Sequence, residues 1–93
     1  MKPYDWDEHK NTKFKLERDI SFEAIVDAIN QGNLLDTLKH PNKLKYSNQK
    51  IYFVKVEEYV YLVPFVEDKD KMFLKTIIPS RKATRKYLKG ERQ

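Results

Sequence analysis

Tyr59-Val-Tyr-Leu-Val-Pro-Phe-Val66 restricts the fold of this chain more than any other stretch. It carries no charge and is dominated by β-branched and aromatic residues, the pattern of a strand covered on both faces. A strand of that kind belongs at the centre of a sheet, and the rest of the chain must supply its neighbours and its cover. Pro64 conflicts with a regular central position, because proline has no amide to give a ladder and sits at edges or bulges. A bend or bulge is therefore predicted there.

Candidate neighbours flank this run. Leu34–Leu38 reads as a short first strand, Gln49–Val56 as a second, Tyr59–Glu67 as the third, and Met72–Ile78 as a fourth. The links at Glu57-Glu58 and at Asp68–Lys71 are short, which implies an antiparallel meander. Glu57-Glu58 lacks the glycine or asparagine that two-residue hairpins favour. His40–Asn48 reads as a loop, rich in turn formers, with Pro41 biasing His40 to extended geometry.

Two helices precede the strands. Asp5 and Glu8 have capping-box spacing and predict a helix from Trp6 to Glu17. Its apolar content is thin (Trp6, Phe14, Leu16), so it should pack at one edge, with His9 in solvent. Ser21 predicts the cap of a second helix, Phe22 to Gln31, in which Phe22, Ile25, Val26 and Ile29 recur at helical spacing and Gly32 supplies the stop. This helix should be the main cover of the sheet.

The fourth strand runs into Pro79, which ends it, and Ser80, which can cap a third helix from Arg81 to Lys89 with Gly90 at its C-terminal stop. Ala83, Thr84, Tyr87 and Leu88 share one side of that helix, while Arg81, Lys82, Arg85, Lys86 and Lys89 cover the remainder. The predicted fold is a single α+β domain over residues 1–93: two N-terminal helices, a four-stranded antiparallel sheet and a C-terminal basic helix. Residues 1–4 and 90–93 are predicted to fray.

The net charge of +5 is unevenly placed. Residues 79–93 hold six Lys/Arg against one Glu, whereas residues 1–33 hold five Lys/Arg against seven Asp/Glu. A positive terminal segment points to a polyanionic partner, either nucleic acid or an acidic protein surface. There is no cysteine, hence no disulfide framework and no thiolate metal site. The N-terminus lacks the apolar stretch of a signal peptide, and no apolar run reaches membrane-spanning length. The expectation is a cytoplasmic protein without a membrane partner.

Two stretches together resemble a known family. Tyr4-Asp-Trp-Asp-Glu-His-Lys-Asn11, followed by Ile20-Ser-Phe-Glu-Ala24, is similar to the N-terminal signature of BrnT-type toxins. Ile77-Ile-Pro-Ser-Arg-Lys-Ala83, with Arg85 and Tyr87 beyond it, resembles that family's closing segment, and the two occur in the same order. The chain departs from the pattern at Glu17-Arg18-Asp19, where the family has Lys-His-Gly, and in its middle region, which is rich in arginine in the family. The family is a branch of the RelE-like ribonuclease toxins of bacterial toxin–antitoxin systems. The resemblance implies a RelE-like α/β fold with a small antiparallel sheet, and RNA cleavage that halts translation. It also implies neutralisation by a ribbon-helix-helix antitoxin, and contact with operator DNA only through the antitoxin complex.

Metal-free RNA cleavage needs a base for the 2′-hydroxyl, an acid for the leaving oxygen, and cations for the charge developing on phosphate. No carboxylate or histidine cluster has metal-ligand spacing, so neither a metal nor another cofactor is expected. Arg81 is the first candidate for phosphate stabilisation, since its planar fork suits bidentate contact; Arg85 repeats the argument one turn on. Lys75, on a strand among apolar neighbours, is a candidate base if burial lowers its proton affinity. His40 is a candidate acid or base near neutrality. Lys50 and Tyr52 alternate onto one face of the second strand and, with Lys82, Lys86 and Tyr87, are the candidate RNA contacts. Tyr52, Tyr59 and Tyr61 offer rings for unstacked bases. Two other readings fit the same cations: a nucleic-acid-binding domain without catalysis, and a protein-interaction module that docks an acidic partner on its basic helix.

Overall fold

The computed structural model describes residues 2–39 and 49–88. The chain is α+β, and its described residues form three helices and a mixed six-stranded sheet. The elements are β1 (Tyr4–Asp5), α1 (Glu8–Arg18), α2 (Phe22–Asn30), β2 (Leu34–Lys39), β3 (Gln49–Val56), β4 (Tyr59–Glu67), β5 (Met72–Leu74), β6 (Ile78–Pro79) and α3 (Arg81–Leu88). The order across the sheet is β1-β5-β4-β3-β2, with β6 also paired to β4. The uncharged run is thus central, and β2 to β5 form the expected antiparallel meander.

Two features correct the sequence expectation. Tyr4–Asp5 does not fray but pairs in parallel with Met72–Phe73, so the sheet is mixed rather than purely antiparallel. The Lys2 ammonium also reaches the Glu67 carboxylate at 2.7 Å. This engagement moves the start of α1. The Asp5 carboxylate accepts from the Trp6 amide, and Asp7 becomes the N-cap by accepting from the His9 amide. The predicted end of α3 at Lys89 and its stop at Gly90 lie outside the described residues, as do residues 90–93 and the His40–Asn48 loop.

The second correction concerns Pro64. The β3–β4 register runs unbroken through it, so no bulge forms in its own strand. The disruption falls on the partner. Pro64 lies opposite the break between β5 and β6, where its carbonyl accepts from the Lys75 amide at 2.8 Å and its missing amide removes the reciprocal bond. The expected strand Met72–Ile78 is accordingly split. Helix α1 stabilises the gap, with Lys10 donating to the Lys75 carbonyl (2.9 Å) and Arg18 to the Ile77 carbonyl (3.1 Å). The bulge in this sheet lies instead in β2, between Leu34 and Asp36.

Strand alternation sorts the two faces. Tyr52, Val54, Val63, Phe65 and Leu74 point to one face, where Phe14, Ile20, Phe22, Ile25 and Ala28 of the first two helices and their link close the main core. Leu38, Phe53, Val60 and Leu62 point to the other face, where α3 docks. Among the described residues, no helix is long and apolar enough to cross a membrane.

Candidate nucleic-acid interface

Helix α3 is fixed to the sheet by two short polar side chains. Ser80 caps it by accepting from the Ala83 amide at 3.0 Å, as its sequence position suggests, and the Ser80 amide donates to the Val60 carbonyl at 3.0 Å. The buried Thr84 hydroxyl donates to the Ser80 carbonyl (2.7 Å) and accepts from the Val60 amide (2.9 Å). The helix start is therefore held against the beginning of β4. One turn on, Tyr87 packs on Phe53, ring centroids 5.7 Å apart, and its hydroxyl donates to Asp36 at 2.8 Å. Burial first, and then this bond to a carboxylate, raise the Tyr87 pKa.

With Ala83, Thr84 and Tyr87 turned inward, the cations divide between two flanks. Lys82 and Lys86 face a groove of about 280 Å³ lined also by Leu38, Phe53, Leu62, Ser80, Ala83 and Tyr87. The groove has an apolar, partly aromatic floor and two ammonium groups on its rim, with the Lys86 ammonium 5.4 Å from the Tyr87 ring centre. Arg81 and Arg85 lie one turn apart on the exposed outward side and do not line this groove. No carboxylate of the described residues pairs with Arg81, Lys82 or Lys86.

The remaining sequence candidates are dispersed. Lys75 is not on a strand but in the gap between β5 and β6, and it is exposed rather than packed among apolar neighbours. Its ammonium lies 5.9 Å from the Phe73 ring centre, on the same face of the sheet as α3. Tyr52 is a core residue. It stacks on Phe65 at 4.0 Å, and its hydroxyl points at the Met72 sulfur, 3.9 Å away; burial, with Tyr4 beside it, raises its pKa. Tyr59 and Tyr61 pack edge to face at 5.6 Å on the face that Tyr52 occupies, opposite α3, and Tyr61 packs against the core. Lys50 does share a face with Tyr52, but it is the face opposite α3. His40 lies outside the described residues. The structure thus unites Lys82, Lys86 and Tyr87, sets Arg81 and Arg85 beside them, and separates Lys50 and Tyr52 from the group.

Asn11 was missed as a candidate because it is an unremarkable residue in a polar helix. It is fully buried. Its carbonyl oxygen accepts from the Phe22 amide and its amide donates to Glu23, both at 2.8 Å. Trp6 stacks on Phe22 at 5.5 Å and donates to Glu8 at 3.0 Å. The two N-terminal motifs therefore meet in one latch that joins α1 to the start of α2, which is a structural role. Among the described residues, no three His, Asp or Glu side chains gather to hold a metal ion. No protein-family model, curated protein or solved structure matches the chain.

Proposed function

We propose that this chain is a toxin of the RelE-like class, of the BrnT branch, that binds RNA through α3, cleaves it without a metal and so inhibits translation. A ribbon-helix-helix antitoxin would hold it in check. The observation that carries this reading is α3 itself. A helix docked through Ala83, Thr84 and Tyr87 leaves Arg81, Lys82, Arg85 and Lys86 on the exposed side of the sheet-to-helix junction. That is a stripe of charge suited to a phosphate backbone. The order of elements and the two motifs bracketing the chain support a RelE-like arrangement. Arg81 and Arg85 would contact the scissile phosphate and Lys82 and Lys86 its neighbours, with His40 as the candidate acid or base. Induced expression without a partner should arrest growth, and Arg81→Ala should relieve the arrest. Normal growth with abundant protein of native melting temperature would count against the reading.

A second reading is binding without cleavage. It is favoured by the commitment of the Tyr87 hydroxyl, on the ring beside the Lys86 ammonium, to Asp36 at 2.8 Å. In that case RNA is retained intact, affinity falls steeply with salt, and His40→Ala changes nothing.

A further inference from the structure

We infer that Lys39 and Lys50 form a second phosphate-contacting site, on the face of the sheet opposite α3, so that a bound single strand crosses the β2 edge and is gripped on both sides. The inference rests on the nucleic-acid reading above. Lys39 and Lys50 are directly opposite each other in the β2–β3 ladder, and both are exposed. Like charges placed so repel and weaken the pairing. No carboxylate of the described residues pairs with either. Glu67, on that same face, is bonded to Lys2 at 2.7 Å and feels Lys50 only as a more distant charge. The connecting residues 40–48 contain no Asp or Glu in their sequence. A lysine on an edge strand often serves only to block pairing with another sheet. That accounts for Lys39 but not for Lys50, which belongs to the interior strand β3. An anion shared by the two ammonium groups accounts for both.

The position links this pair to the α3 groove. Leu38, paired with Ile51, lines the groove on one face; the next rung of the ladder is Lys39 with Lys50, pointing to the other. Successive residues of a strand advance about 3.3 Å and alternate faces. A strand leaving the Lys82–Lys86 rim over β2 therefore meets Lys39 as it passes the edge.

The test is fluorescence anisotropy with a 2′-O-methyl oligouridylate, which lacks the nucleophilic hydroxyl and cannot be cut, across a range of salt concentrations. Each lost cation contact on a single strand lowers the slope of log affinity against log salt by about 0.7. The double variant Lys39→Gln, Lys50→Gln should lower the slope by twice that step. It should also melt at or above the parent temperature, since a repulsion is removed. Adding Lys82→Gln and Lys86→Gln should lower the slope further by a similar amount. An unchanged slope in the first double variant, with the parent still binding, overturns this inference and leaves the α3 reading standing. No binding by the parent overturns both. Retention of polyglutamate but not of the oligonucleotide overturns them in favour of an acidic protein surface.

Discussion

Two buried polar side chains do work that no apolar residue of similar size can replace. Asn11 accepts from the Phe22 amide with one end and donates to Glu23 with the other. Asn11→Leu should leave that amide buried without an acceptor, a loss of about 1–3 kcal/mol. The urea midpoint should fall with little change in slope, since the native surface is unaltered. Thr84 plays the equivalent part at the other end of the molecule, between the Ser80 carbonyl and the Val60 amide. Thr84→Val keeps the shape and removes both bonds, and should also cost about 1–3 kcal/mol, whereas Thr84→Ser should retain most of the stability. If Thr84→Val matched the parent in urea denaturation, Thr84 would not anchor α3.

At the scale of single elements, the β3–β4 hairpin carries a local strain that sequence reading anticipates. Glu57 has φ +57°, left-handed backbone that a side chain other than glycine adopts at a cost of about 1–2 kcal/mol. Glycine there loses about 0.5–1 kcal/mol of that gain to its greater freedom in the unfolded chain. Glu57→Gly should therefore stabilise by roughly 0.5–1 kcal/mol net, visible as a higher midpoint in thermal or urea unfolding. What was legible in the sequence follows the same logic of local chemistry. Ser21, Ser80 and Gly32 act within a turn of where they stand, so the ends they mark are found where expected. The exposed and buried sides of α3 are fixed by helical period alone. Pro64 was misread because its missing amide disrupts the strand across the ladder rather than its own. β1 was missed because two residues in parallel pairing with a distant strand leave no periodic signal. The faces of Lys50 and Tyr52 relative to α3 could not be read locally, since β3 and β4 carry apolar residues on both sides and only the tertiary fold decides which side α3 covers.

Across the whole molecule, carboxylates tie separate parts of the chain together, and their titration should be felt globally. Lys71 holds Asp5 below the usual carboxylate range, joining β1 to the start of β5. Lys2 does the same to Glu67, joining the N-terminus to the end of β4. The amides of Asp70 and Lys71 lower Asp68 within its turn, and Asn11 lowers Glu23 across the α1–α2 latch. In each case the folded state binds its proton less readily than the unfolded chain. Such a group contributes stability that is complete above its ordinary value, 3.8 for Asp and 4.5 for Glu, and is lost as pH falls through the folded value. The melting temperature should therefore hold near pH 6 and decline from about pH 5 downward. All four groups are exposed, so the decline is shallow and its causes can be separated. The lysine-dependent share comes from charged hydrogen bonds and the attraction that goes with them between exposed groups and should shrink in high salt, whereas the share from Asn11 and the backbone amides should persist. Lys2→Met with Lys71→Met should flatten the acid limb as salt does, and added salt should then change it little. A limb equally steep in the parent and in that double variant would show that the N-terminal strand contributes nothing to acid stability, and that β1 is held by its ladder alone.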